Sequence, residues 1–223
     1  MTKTLLETLV SCVDCGTRRI ETATRRRRLR FARSPEPLNG PQSIADLPAS
    51  PTFLFLCLGN ICRSPMAERY LERRAAEAGL TDLSIESAGL VDHGGRPSPE
   101  TAVEVAREYG IDLTDHRSTV VDEDLLAESD AVFVMDVSNV TRLRRRHGTR
   151  EGVYCLGAFG NTREFEISDP YGGDRASFRR VYGEVATAVD SLVSTYRVFR
   201  SRDTSAADGS VARTRECIEG SGR

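Results

Sequence analysis

With 223 residues, 39% hydrophobic and 29% charged, the chain suits one α/β domain with extensions, and no apolar run reaches the roughly 18 residues of a membrane span. Its net charge of −2 is uneven, because residues 1–50 carry nine Lys or Arg against five Asp or Glu while residues 51–200 carry 18 against 24. The central segment therefore has no general attraction for nucleic acid, and any anion it binds has to be captured locally.

In chain order, residues 1–50 read as a mostly disordered Arg-rich extension and linker. Cys12-Val13-Asp14-Cys15-Gly16 has the form of half a zinc ribbon, but structural zinc takes four ligands and no second Cys pair or nearby His is present. The run Arg25-Arg26-Arg27-Arg28-Leu29-Arg30 is compatible with an anionic partner and also with a solvated tail. Glu7, Asp14 and Glu21 argue against a transit peptide, and Pro, Ser and Gly from Ser34 to Pro51 mark a linker.

The apolar run Thr52–Cys57 fits a strand buried on both faces of a parallel sheet. After a short loop, Ser64 and Pro65 make an N-cap and first-turn proline, and Ala67, Tyr70, Leu71, Ala75 and Ala78 follow at helical spacing until Gly79. Leu83–Ala88, Ala131–Met135 and Gly152–Leu156 read as strands; Pro99–Tyr109, Asp122–Glu128, Val137–Arg146 and Arg175–Arg200 read as helices. This alternation predicts a doubly wound α/β domain over residues 51–200, with a four-stranded parallel sheet and helices on both faces. Residues 201–223 are polar and are expected to form a disordered tail.

The six cysteines do not have to be disulfides in a domain of this size, no secretory signal is expected, and reduced thiols point to the cytoplasm. The chemistry centres on the loop between the first strand and the first helix. Unpaired amides at a helix start, its positive dipole end, and a loop in which Gly59 and Asn60 can take positive φ all aim donors inward. Such a pocket favours a thiolate, which makes Cys57 the candidate nucleophile. Arg63 adds a planar fork that can hold two oxygens of a phosphate.

The spacing of Cys57 and Arg63 alone is a weak signal. The string Cys57-Leu58-Gly59-Asn60-Ile61-Cys62-Arg63-Ser64-Pro65 between a strand and a helix, however, resembles the phosphate loop of the low-molecular-weight protein tyrosine phosphatases. Ile85-Glu86-Ser87-Ala88-Gly89, Gly110-Ile111-Asp112-Leu113 with His116-Arg117-Ser118, and Asp169-Pro170-Tyr171-Gly172 resemble further segments of that family, in its order. The resemblance implies a flavodoxin-like fold and hydrolysis of phosphotyrosine in proteins, with Asp169 as general acid and neither cofactor nor metal. It also implies that Asn60, Ser64, Ser87 and His116 brace the loop, and that Tyr171 forms one wall of the cleft. His93 falls where relatives often have an aromatic residue on the opposite wall. Cys62 would be placed to form a reversible disulfide with Cys57.

Three other functions compete with this reading. Thioredoxin-coupled arsenate reductases need two further cysteines that are lacking between Cys62 and Cys155. Protein arginine phosphatases carry Thr where this chain has Ile61, although the segment from Asp169 to Gly173 resembles theirs. A catalytically inactive phosphate-binding module would be expected to lack Cys57, Arg63 or Asp169, and all are present. The physiological substrate and the oligomeric state are not legible in the sequence.

Overall fold

A computed structural model describes residue 38 and residues 40–160 and 165–219, with side chains through residue 200. The features read at Cys12, Cys15 and Arg25–Arg30 lie outside the described residues. Four strands, β1 (Thr52–Cys57), β2 (Ser84–Gly89), β3 (Ala131–Val134) and β4 (Val153–Cys155), form a parallel sheet in the order β2-β1-β3-β4. Between and after them run α1 (Arg63–Glu77), α2 (Glu100–Glu108), α3 (Glu123–Glu128), α4 (Val137–His147) and α5 (Arg175–Glu219).

The central strand β1 is buried from Phe53 to Cys57 because helices cover both of its faces. Phe53, Phe55 and Cys57 share a core with Phe133, with Met66, Ala67 and Leu71 of α1, and with Phe178, Val181, Tyr182 and Val189 of α5. Leu54 and Leu56, one residue out of phase, join Val132, Val134, Leu126 of α3 and Val140 and Leu143 of α4. Phe133 stacks on Phe55 at 5.1 Å and on Tyr154 at 5.3 Å between ring centroids, contacts worth about 0.5–1.5 kcal/mol each beyond their burial.

The helix signals act locally. Asp122 Oδ1 accepts from Leu125 N–H at 2.9 Å, and Asp136 Oδ1 accepts from Asn139 N–H at 2.8 Å, capping α3 and α4. Gly79, at φ 70°, ends α1, where the Leu80 amide turns back to the Ala75 carbonyl at 2.9 Å.

Two segments differ from the sequence reading. Pro41–Asp46, read as linker, forms a 3-10 turn that buries Ile44 against the same core as α5. The last helix does not stop near Arg200 but runs to Glu219, in the stretch expected to be a tail without structure. Propagating a helix already anchored by Phe178, Val181 and Leu192 fixes one residue per added hydrogen bond, and no proline follows Pro170 to stop it.

From β1 the chain crosses to β2 on one side of the sheet and later to β3 on the other. The C-terminal end of β1 is therefore a topological switch point, where a doubly wound sheet opens a crevice. The loop from Cys57 to Arg63 lies at that end.

Candidate active site

Cys57 closes β1, and the chain turns through Leu58, Gly59, Asn60, Ile61 and Cys62 before α1 begins at Arg63. The turn is made by Asn60 at φ 50°, a left-handed value that Asn tolerates better than most residues. It folds the Asn60 amide back onto the Cys57 sulfur at 3.2 Å. Ser64 adds a second donor, its Oγ lying 3.1 Å from the same sulfur. Ser64 is therefore not the helix cap the sequence suggested. Cys62 occupies the cap position and makes no side-chain cap bond, so the first-turn amides are not consumed by a capping side chain. Two hydrogen-bond donors therefore converge on one sulfur.

The Asn60 side chain braces the loop in three directions. Its Nδ2 donates to Ser64 Oγ at 3.0 Å and to Ser87 Oγ at 2.7 Å, and its Oδ1 accepts from Thr119 N–H at 2.8 Å. Ser87 Oγ–H in turn donates a hydrogen bond to Glu68 Oε2 at 2.6 Å, and burial raises the pKa of that carboxyl. His116 Nε2 lies 2.7 Å from the Asn60 carbonyl, which can only accept, so this nitrogen carries the proton. Burial lowers the His116 pKa, which keeps the ring neutral around pH 7.

Arg63 is 1% exposed. Its Nη1 donates to Asp136 Oδ2 at 2.6 Å and to the Ile167 carbonyl at 3.0 Å, and its Nη2 pairs with Asp169 Oδ2 at 2.8 Å. Burial opposes its charge, yet Cys57, Asp169 and Asp136 together outweigh that and hold its pKa above the ordinary arginine value. Nε is buried with no hydrogen-bond partner. A buried donor without an acceptor costs about 1–3 kcal/mol, so Nε marks a position where an anion would be stabilised.

Asp169 reaches this point from the segment before α5. Its Oδ1 also accepts from the Tyr171 amide at 3.2 Å, and a turn closes from Gly173 N–H to the Pro170 carbonyl at 2.9 Å. Tyr171 projects with 66% of its surface exposed. Together these groups border a cleft of about 150 Å3 lined by Cys57, Leu58, Gly59, Ile61, Cys62, Arg63, Val91, Arg96, Asp169 and Tyr171. Cys57, Cys62 and Cys155 are free thiols, and burial, with Cys57 beside it, pushes the Cys62 thiol far above its usual range.

Of the residues selected from the sequence, His93 is not brought to the cleft. Its side chain is exposed, and the wall expected there is formed by Val91 and Arg96. His93 contributes its carbonyl instead, accepting from Arg96 Nε at 3.2 Å and from Ser118 Oγ at 3.0 Å. The physical reason is the tight turn after β2, in which His93 N–H bonds to the Val91 carbonyl at 2.8 Å and Gly95 takes φ 74°. The chain reverses there, so Arg96 comes back over the loop while His93 faces solvent.

Sequence reasoning missed Asp136, Glu68, Val91 and Arg96. Asp136 carried a legible cap signal, an Asp between a buried strand and a helix, but its hold on Arg63 spans 73 residues. Among the described residues no group of three or more His, Cys, Asp or Glu side chains is placed to hold a metal ion, and no helix is long and apolar enough to cross a membrane.

Comparison with known proteins adds to this geometry. Residues 52–202 match the family model for low molecular weight phosphotyrosine protein phosphatase. The chain is 34% identical over 147 residues to the probable low molecular weight protein-tyrosine-phosphatase EpsP of Ralstonia nicotianae, covering 66% of this chain and 96% of that protein. Among solved structures, the Erwinia amylovora tyrosine phosphatase AmsI shares 35% identity at a TM-score of 0.57, over 65% of this chain and 92% of that one. The YwlE arginine phosphatase of Geobacillus stearothermophilus shares 27% identity at a TM-score of 0.61, over 68% of this chain and 96% of that one.

Proposed function

This chain belongs to the low molecular weight phosphotyrosine protein phosphatase family, and we propose that it hydrolyses phosphotyrosine in proteins through a cysteinyl phosphate on Cys57. The observation that carries this reading is the convergence of Asn60 N–H and Ser64 Oγ on the Cys57 sulfur, beside a buried Arg63 whose Nε has no acceptor and whose Nη2 meets Asp169. The catalytic unit is residues 51–200, and the free thiols suit a reducing, cytoplasmic setting.

In the first step the Cys57 thiolate donates an electron pair to phosphorus, the P–O bond to the phenol breaks, and the carboxyl of Asp169 gives its proton to the leaving oxygen. In the second, Asp169 takes a proton from water as the water oxygen bonds to phosphorus. The S–P bond breaks, and thiolate and inorganic phosphate are released. Arg63 and the loop amides stabilise the equatorial oxygens in both steps, and Ser64 Oγ stabilises the departing thiolate. Asp136 holds the Arg63 fork in place from behind. Tyr171 and Ile61 flank the substrate ring.

Hydrolysis of phosphoarginine is the second reading, favoured by the likeness to the YwlE arginine phosphatase. Two features of the cleft weigh against it. Ile61 presents an apolar side chain where a guanidinium needs polar partners, and Arg96 brings positive charge towards a leaving group that is itself cationic. Turnover of matched phosphotyrosine and phosphoarginine peptides by the unaltered protein, Cys57→Ser and Ile61→Thr decides between them. Phosphotyrosine is the preferred substrate, and Ile61→Thr narrows the preference. A clear preference of the unaltered protein for phosphoarginine would replace the first reading with the second.

A further inference from the structure

Arg63 and Arg96 are the two cations lining the cleft, and they differ in how their charge is met. Two carboxylates hold Arg63, those of Asp136 and Asp169. Arg96 has only carbonyls: its Nη2 donates to Gly59 O at 2.9 Å and its Nε to His93 O at 3.2 Å. The nearby carboxylate of Asp92 is taken by Arg146 at 2.7 Å. Among the described residues no carboxylate forms an ion pair with Arg96.

The guanidinium is also fixed in place. A Cβ on Gly59 would approach Arg96 Nη2 to 2.8 Å, so the fork lies directly over the phosphate loop, where only the missing side chain leaves room. The backbone behind it is pinned from Arg96 N–H to Ser118 Oγ at 3.0 Å and from Ser118 N–H to Arg96 O at 2.9 Å. Arg96 is half-buried, so it offers a preorganised cation at the rim and retains donors that the two carbonyls do not use.

Resting on the phosphotyrosine reading above, we propose that Arg96 determines substrate specificity by pairing with an acidic side chain adjacent to the phosphotyrosine of the target protein. With the ring between Ile61 and Tyr171 as in the reading above, Arg96, which lines the same cleft, is within reach of the residues that flank it. A carboxylate there meets an arginine whose charge has no other carboxylate partner, whereas a lysine there meets a like charge.

The test is kcat/KM on three phosphotyrosine peptides identical except for Glu, Gln or Lys on both sides of the phosphorylated residue. For the unaltered protein at low salt the order is Glu, Gln, Lys, with a Glu to Gln ratio of about two to five, the upper range of a partly exposed ion pair. Arg96→Glu reverses the order and Arg96→Lys keeps it with a smaller ratio. Because the readout is a ratio within each variant, a general loss of activity cancels. The preference of the unaltered protein also shrinks towards unity in about 0.5 M salt, which serves if the Glu variant does not fold.

A Glu to Gln ratio near one in the unaltered protein, a ratio unaffected by salt, or one that survives Arg96→Glu would overturn the proposal while leaving the phosphatase reading intact. Failure to hydrolyse all three peptides and p-nitrophenyl phosphate would instead sink the phosphatase reading, and this inference with it.

Discussion

Asp136→Asn separates two jobs that one carboxylate performs. Oδ1 caps α4 and Oδ2 holds Arg63, and asparagine keeps an oxygen for the cap while removing the charge. Breaking a buried ion pair on one side costs about 3–5 kcal/mol when the remaining charge is left alone. Here Arg63 keeps Asp169 at 2.8 Å and the Ile167 carbonyl at 3.0 Å, so the expected loss is smaller, about 2 kcal/mol. In a chain of this size that lowers Tm by about 4–8 °C. The guanidinium then swings towards Asp169 and leaves the axis on which it meets phosphate. We expect kcat/KM on p-nitrophenyl phosphate to fall about 10- to 100-fold, most of it in kcat, since the contact matters most in the transition state. Asp136→Ala also loses the cap and is less stable by about a further 1 kcal/mol. Thermal unfolding and steady-state kinetics on the two variants suffice. An Asp136→Asn protein with parental Tm and parental kcat would show that Asp136 does not position Arg63, and the geometry given for the phosphate clamp would have to be abandoned.

Other perturbations test the loop and its supports. Asn60→Ala removes the bonds to Ser64, Ser87 and Thr119 and leaves a β-carbon residue at φ 50°, for a loss of about 2–4 kcal/mol; Asn60→Gly relieves the backbone part and unfolds at a urea midpoint between Ala and parent. Equal midpoints for the two variants would remove the backbone argument. Gly89→Ala places a Cβ at 3.1–3.2 Å from Gly59 and Asn60, so kcat/KM drops by about tenfold or more from loop displacement, and parental activity would show the loop tolerates the shift. His116 is depressed below its ordinary 6.5, so the unfolded chain binds its proton more readily than the folded one. The stability it contributes is therefore complete above about pH 6.5 and is lost as pH falls below that, at up to about 1.4 kcal/mol per pH unit. His116→Asn flattens that part of the profile in urea titrations between pH 8 and 5, and an unchanged profile would contradict a neutral His116.

The sheet was legible because its strands are short and closed by clear stops, and three of the four are buried almost throughout. Thr52–Cys57 matches β1 end to end, and the other strands shift by only a residue or two, since a run such as Ala131–Val134 has no polar face to confuse its period. The phosphate loop was legible for the same local reason: sulfur, turn and guanidinium lie within seven residues of one another along the chain. What depended on distant chain was not. Asp136, just after β3, and Asp169, before α5, meet on Arg63 from distant points of the chain, and Glu68 supports the loop only through Ser87. His93 and Arg96 are three residues apart, and the positive-φ turn at Gly95 decided which one enters the cleft. The Ser64-Pro65 pair signalled a helix start correctly but not its register, because the serine hydroxyl turns to Cys57 rather than to an amide. The turn Pro41–Asp46 owes its order to Ile44 docking under distant residues, which composition could not disclose.

The most direct measurement is mass spectrometry of acid-quenched turnover of p-nitrophenyl phosphate by Asp169→Ala, a variant in which a good leaving group still departs but water is no longer activated. One phosphoryl group is expected on the peptide that contains Cys57, and none in the Asp169→Ala, Cys57→Ser double variant. Phosphate found on another residue, or turnover that persists at the parental rate once Cys57 is replaced, would contradict covalent catalysis at this loop.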